Sequence, residues 1–167
     1  MQPKESYEDR TGLNKAFRAD DDVPSATAGL VTGPARGGAA GSRGVAGEGV
    51  TYEHITESIT VVKVSVGLDV LTAPRLREAL VETIHQGRYF LVVDLSDVEV
   101  LDSTGVGVLA GGLKRVRFHG GELVAVAASE GVLKQFWITG LSKLIPVFDA
   151  VHPAVEHLGR RGTETHA

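Results

Sequence analysis

From Tyr52 to about Leu158 the chain is dense in Val, Ile and Leu, broken by single turn residues, and the spacing of these apolar positions sorts it into elements. Ile55 with its neighbours and Ile59 to Val66 (ITVVKVSV) are rich in β-branched residues and predict two short strands with a turn at Glu57-Ser58. Thr72-Ala73-Pro74 then opens a helix. Thr72 is placed to cap it, Pro74 suits the first turn, and Leu76, Leu80, Val81 and Ile84 share one face before Gly87 ends it. Tyr89 to Leu95 is almost continuously apolar, as a strand covered on both faces should be. After Asp102-Ser103-Thr104, the residues Val106, Leu109, Leu113 and Val116 recur at helical spacing and predict a helix closed by Gly120-Gly121. Leu123 to Ala127 reads as another buried strand and Val132 to Ile138 as a helix whose Phe136 and Trp137 pack into the core. Ile145 to Phe148 gives a last strand and Val151 to Leu158 a terminal helix. The order ββαβαβαβα predicts a single α/β domain: a mostly parallel mixed sheet with four helices and right-handed crossovers.

Residues 1–50 follow no such period and hold 9 of the 21 glycines. Gly33 to Gly49, GPARGGAAGSRGVAGEG, has the composition of a flexible linker that buries too little to offset its ordering entropy. The expected organisation is a disordered Gly/Ala-rich extension over 1–50, the domain over 51–159 and a disordered tail over 160–167. Within the extension lie an acidic cluster, Asp20 to Asp22, and a stretch from Gly12 to Arg18 that could form a short helix with Leu13 and Phe17 on one face and dock on a partner.

Charge and cysteine content remove several function classes. With 17 Lys and Arg against 21 Asp and Glu, a net charge of −4 leaves no dense basic face for nucleic acid. The absence of Cys removes disulfides, thiolate metal sites and a cysteine nucleophile. No apolar run approaches the roughly 20 residues needed to cross a bilayer, and the first residues lack the apolar stretch of a secretory signal, so a cytoplasmic protein is expected. The histidines, His54, His85, His119, His152, His157 and His166, show no i, i+4 pair suited to zinc and read as surface residues. No metal or cofactor is expected.

The chemistry-bearing segment is Val92 to Leu113, VVDLSDVEVLDSTGVGVLAGGL, in which a buried strand delivers a hydroxyl, that of Ser103, to a helix N-terminus. Asp102, Ser103 and Thr104 are all possible caps, and the free N–H groups of a first turn favour negative charge, so an added phosphate would sit well there. Gly105 and Gly107 each cost a helix roughly 1 kcal/mol relative to Ala, which suggests close approach of something to this turn; Gly107 and Gly111 could equally let the helix lie close on the sheet. The bland alternative for Ser103 is a plain N-cap. A hydrolase elbow, G-x-S-x-G, is absent, as are the contiguous triplet of an aspartic protease and a phosphate-cradling P-loop. Lys114, Arg115 and Arg117 suit the helix C-terminus, with a secondary place in a partner interface.

Three blocks in order, LDVLTAPRLREAL (Leu68 to Leu80), LDSTGVGVLAGGLKRVR (Leu101 to Arg117) and FWITGLSKLIPVF (Phe136 to Phe148), resemble the anti-sigma factor antagonists, whose fold is the STAS domain. The resemblance implies a regulator rather than an enzyme. Its partner would be a serine kinase that doubles as an anti-sigma factor and itself binds the ATP; a phosphoserine phosphatase would reset the state. By that resemblance Ser103 is the phosphoryl acceptor, with Thr104 adjacent. Asp69 and Asp102 match the family's aspartates near the acceptor and look like contact residues for the kinase or its nucleotide, within a partner surface that includes Thr72, Gly105 and Gly107. The match departs from many relatives at Val66-Gly67, where Gly-Glu is common before Leu-Asp. A competing expectation is a non-switching STAS scaffold, or a subunit of a larger complex, in which Ser103 only caps; a third is a nucleotide-binding or hydrolysing protein.

Overall fold

The computed structural model describes residues 40–166. Among these residues six strands form one sheet in the order β1-β2-β3-β4-β5-β6: Arg43–Gly47, Val50–His54, Ile59–Val64, Phe90–Leu95, Glu122–Ala127 and Val147–Phe148. The first three pair antiparallel, and β3 through β6 run parallel. Between and after the parallel strands lie α1 (Ala73–His85), α2 (Ser103–Phe118), α3 (Glu130–Ile138) and α4 (Val151–His166), with a short 3-10 turn at Leu141–Lys143. The expected α/β domain with a mostly parallel mixed sheet and four helices is what forms, with one more strand than the sequence pattern suggests.

That extra strand, β1, falls inside the stretch assigned to the extension. Its sequence, RGVAG, has a single large apolar residue, so no local signal announces it. Pairing with β2 makes it, and glycine makes the pairing possible: a Cβ at Gly44 would come within 2.3 Å of the Tyr52 hydroxyl oxygen. The glycines read as linker punctuation here admit a neighbouring ring. Among the described residues the sheet therefore begins at Arg43 rather than after residue 50. The Gly12 to Arg18 stretch and the Asp20 to Asp22 cluster lie outside the described residues.

Two apolar layers hold the sheet. On one face Leu76, Leu80 and Ile84 of α1 and Leu109, Leu113 and Val116 of α2 pack with Val62, Leu91, Val93 and Leu123. On the other, Ala154 and Leu158 of α4 cover Val61, Val92, Val124 and Val126. All six residues of β4 are buried, as expected of a central strand. The final helix does not stop at Leu158 but continues to His166, through the stretch expected to be a disordered tail. Gly159 suggests a stop, yet beyond it Arg161 Nε donates to Glu122 Oε1 at 2.9 Å and ties the helix to β5.

Two further expectations are corrected by burial. Phe136 is fully buried, but Trp137, one residue on, is 75% exposed because Val132 and Phe136 already fill the inward face of α3. His54 is not a surface residue: it is buried beside Thr60, to whose hydroxyl its Nδ1 lies at 2.9 Å.

Candidate functional site

At the C-terminal ends of the parallel strands, where open α/β sheets place their ligand-contacting loops, two connections meet. Leu68, after β3, and Leu101, after β4, form an isolated parallel bridge. The Leu68 N–H donates to the Val100 carbonyl at 2.8 Å, and the Asp102 N–H donates to the Leu68 carbonyl at 3.0 Å. The loop carrying Asp69 is thereby bonded to the loop carrying Ser103. Gly105 completes the junction: a Cβ there would meet Leu101 Cδ1 at 2.6 Å and Leu68 Cβ at 3.0 Å, so only glycine lets the first turn of α2 settle on the bridge without a shift. This is the close approach that the helix-disfavouring glycine signals. Farther along α2, Gly112 lies against Leu80 and Leu123. Gly107 is half-buried on the second turn.

Of Asp102, Ser103 and Thr104, it is Asp102 that caps α2. Asp102 holds the extended backbone of an N-cap, and its Oδ1 accepts from Thr104 N at 2.9 Å and Gly105 N at 3.2 Å. Ser103 is the first helical residue; it and Thr104 are exposed, and the Ser103 hydroxyl takes no part in the cap. The plain-cap role belongs to the neighbour, which leaves Ser103 as a presented hydroxyl on a fixed first turn. Asp102→Ala removes one acceptor from two N–H donors, and such caps are worth about 1 kcal/mol. A matching fall in the urea midpoint at unchanged m-value is expected, with Ser103→Ala unchanged.

The Asp69 loop closes on itself. Asp69 Oδ1 accepts from Leu71 N at 2.9 Å and Thr72 N at 3.1 Å. These backbone donors, with the Thr72 hydroxyl, hold the Asp69 carboxyl below the usual carboxylate range, so it stays ionised. Thr72 occupies the N-cap position of α1 yet does not cap with its side chain. Its backbone is helical rather than extended, which turns the hydroxyl back into the loop; there it accepts from Asp69 N at 3.0 Å and donates to the Gly67 carbonyl. The expected capping role is replaced by loop closure.

Behind this edge Lys63 bridges Asp94 at 3.4 Å and Asp97 at 3.1 Å, tying the start of the acceptor loop to β3. Sequence reading does not single out Lys63, because the pairing spans two strands. Three large apolar residues beside the junction are exposed: Val70 at 66%, Leu71 at 78% and Val100 at 59%. Val70 and Leu71 follow Asp69 and Val100 precedes Leu101, and the bonding of the two loops brings the three to one edge. Among the described residues no cluster of His, Asp or Glu could hold a metal ion, and no helix is long and apolar enough to cross a membrane.

The family model for the STAS domain matches residues 53–154. The chain belongs to the STAS domain family. Among its relatives is an anti-sigma-B factor antagonist of Bacillus subtilis (strain 168), 44% identical over 80 residues, spanning 48% of this chain and 72% of that protein. A solved anti-sigma factor antagonist from Mycobacterium paratuberculosis is 31% identical, with a TM-score of 0.56, covering 60% of this chain and 86% of that one. The Bacillus cell fate determinant SpoIIAA, solved in a phosphorylated form, matches with a TM-score of 0.54 over 65% of this chain and 97% of its own; at 20% identity this likeness concerns the fold. The relatives are named as regulators. The STAS fold inferred from the three motif blocks agrees with the family match.

Proposed function

We propose that this STAS domain is an anti-sigma factor antagonist, acting in the cytoplasm, whose partner affinity is set by phosphorylation of Ser103. The observation that carries the reading is the division of labour at α2: Asp102 caps, and Ser103 presents an exposed hydroxyl beside the Asp69 loop. Unmodified, the domain binds a serine-kinase anti-sigma factor and so releases a sigma factor; phosphorylated, it lets the kinase go. In the transfer, Ser103 Oγ attacks the γ-phosphorus of the kinase's ATP. The Oγ–P bond forms, the bond to the β,γ-bridging oxygen breaks, ADP leaves, and the hydroxyl proton passes to a base on the kinase. A phosphoserine phosphatase restores the hydroxyl. The chain contributes the acceptor and the recognition surface.

The same cap explains why the modification changes binding rather than fold. A phosphoserine carries roughly −1.5 to −2 charges and would ordinarily be drawn to a helix N-terminus. Here the N–H groups of Thr104 and Gly105 are already taken by the Asp102 carboxylate. The phosphate is thus left outward, next to an existing anion, where a partner meets it. A phosphate on Ser103 thus does not settle onto a free first turn, as the sequence pattern alone suggests it would.

Mixing the chain with the anti-sigma kinase and ATP tests the reading: one phosphoryl group per chain on Ser103 is expected, and none on Ser103→Ala. A scaffold that never switches would bind its complex indifferently to both forms, and an enzyme in its own right would turn over nucleotide without the kinase.

A further inference from the structure

We infer, resting on the Ser103 reading just given, that Val70, Leu71 and Val100 form an apolar rim beside the acceptor that the anti-sigma partner covers, and that this rim sets how strongly a charge on Ser103 is refused. All three side chains are exposed, Leu71 the most. A solitary exposed apolar residue is ordinary, but three on two bonded loop tips make a patch of the kind that marks an interaction site. They are also held in place. Asp69 Oδ1 accepts from the N–H of Leu71 itself at 2.9 Å and from that of Thr72 at 3.1 Å, and the Val100 carbonyl accepts from Leu68 N at 2.8 Å. A rim fixed by such bonds before binding loses little freedom when it is covered, which is the condition under which apolar contact yields affinity.

The occupant follows from continuity with the acceptor. Val100 stands three residues before Ser103, and the Asp102 N–H between them is bonded to the Leu68 carbonyl, so rim and acceptor belong to one junction. A partner that receives the Ser103 hydroxyl meets the rim in the same approach. Gly67 keeps Val100 open: a Cβ there would lie 3.4 Å from Val100 Cβ, at the position where Glu is common among the proteins this sequence resembles. This chain therefore offers bare valine surface where a longer, charged side chain could stand, and the partner it fits presents an apolar shelf. Covering the rim removes water from beside Ser103. In a dry contact a hydroxyl needs one hydrogen bond, whereas a phosphate or carboxylate loses hydration that an apolar shelf does not return. The rim thus adds affinity for the unmodified chain and deepens the refusal of the modified one.

Full-length Leu71→Ala and Val100→Thr, each alone and each combined with Ser103→Asp, test this by calorimetric titration with the purified kinase that phosphorylates Ser103, in the presence of ADP. Neither substitution removes a backbone donor or acceptor, and Val100→Thr keeps the branched shape, so urea midpoints should stay at the parent value. The expected loss of affinity is about tenfold or more for Leu71→Ala, and smaller but measurable for Val100→Thr. The affinity ratio between Ser103 and Ser103→Asp chains, about 100 in the parent, should fall to about 30 or less in Leu71→Ala. A general loosening of the loop would lower both affinities alike. Rim variants that bind as the parent does, while Ser103→Asp still binds weakly, overturn the inference and leave the Ser103 reading intact. Affinity that falls at an unchanged ratio overturns the rim's part in discrimination. Self-association of the chain that Leu71→Ala abolishes, seen by sedimentation, assigns the rim to a second copy and also overturns the inference. A kinase that binds none of these chains removes both readings.

Discussion

Ser103→Asp is expected to weaken binding to the anti-sigma kinase by about 100-fold or more, whereas Ser103→Ala binds as the unmodified chain does. A 100-fold loss corresponds to about 2.7 kcal/mol, the scale of one misplaced charge at a desolvated contact. The introduced carboxylate joins Asp102, whose Oδ1 caps α2, and Asp69, which its loop donors keep ionised, so a third anion gathers at one edge of the sheet. Aspartate carries less charge than a phosphoserine, which makes its effect a lower bound. Neither variant should lower stability, since the Ser103 hydroxyl is exposed and outside the cap, and a negative charge in the first turn of a helix is favourable. Calorimetric titration with ADP-loaded kinase, paired with urea unfolding of each variant, separates lost recognition from lost fold. Equal affinities for the two variants would return Ser103 to the scaffold reading. Part of the penalty should shrink with added salt, because the loop tips are exposed and the screening length is about 10 Å at 0.1 M.

The second large effect lies at the opposite end of the strands. His54, at the end of β2, pairs with Thr60 at the start of β3, away from the C-terminal edge that carries Ser103. It is 2% exposed. Its neighbour Arg88 is equally buried and donates to the Thr56 carbonyl at 2.6 Å. Burial, then the Arg88 charge, push the His54 pKa from 6.5 down to about 4, against a smaller opposing contribution from Gln86. Between those values the unfolded chain binds a proton that the folded chain refuses. The stabilisation is therefore fully present above pH 6.5 and is lost as pH falls toward 4, with a slope approaching about 1.4 kcal/mol per pH unit and a total of about 3 kcal/mol. Urea midpoints of the parent chain and His54→Gln, taken from pH 7 to pH 4, should diverge in pH dependence, with the variant flatter. Parallel profiles would show that His54 takes up its proton without resistance. Because the site lies at the other edge, Ser103 phosphorylation by the kinase at neutral pH should be unaffected by the substitution.

What could be read along the chain follows from which forces are local. The strands β3 to β5 and helices α1 and α2 were legible because runs such as FLVVDL and the spacing of Leu109, Leu113 and Val116 record burial directly. Strand β1 was not, since RGVAG folds only against Tyr52 and its neighbours, a contact that no local window contains. Trp137 is misread from sequence for a related reason: adjacent Phe136 and Trp137 do not say which of them points inward, and Phe136 takes the core. His54 reads as a surface residue in sequence because burial of a histidine depends on partners, Thr60 and Arg88, that lie elsewhere along the chain. For the site, the motif located Asp102, Ser103 and Gly105 together, and three candidate caps stood open. Only geometry gives the cap to Asp102 and turns Thr72 from helix cap to loop clasp. The joining of the Asp69 loop to the acceptor loop rests on one backbone bridge, Leu68 to Leu101, for which apolar side chains carry no sequence signal.

Whether Ser103 is a reversible phosphoryl acceptor is read from the intact mass, with site mapping, of the chain recovered from its native cells. A single phosphoryl group confined to Ser103, whose occupancy changes between growing and stressed cultures, is the predicted result. Ser103 unmodified in every condition while the chain sits in a stable complex would contradict the account and leave a structural STAS subunit in its place.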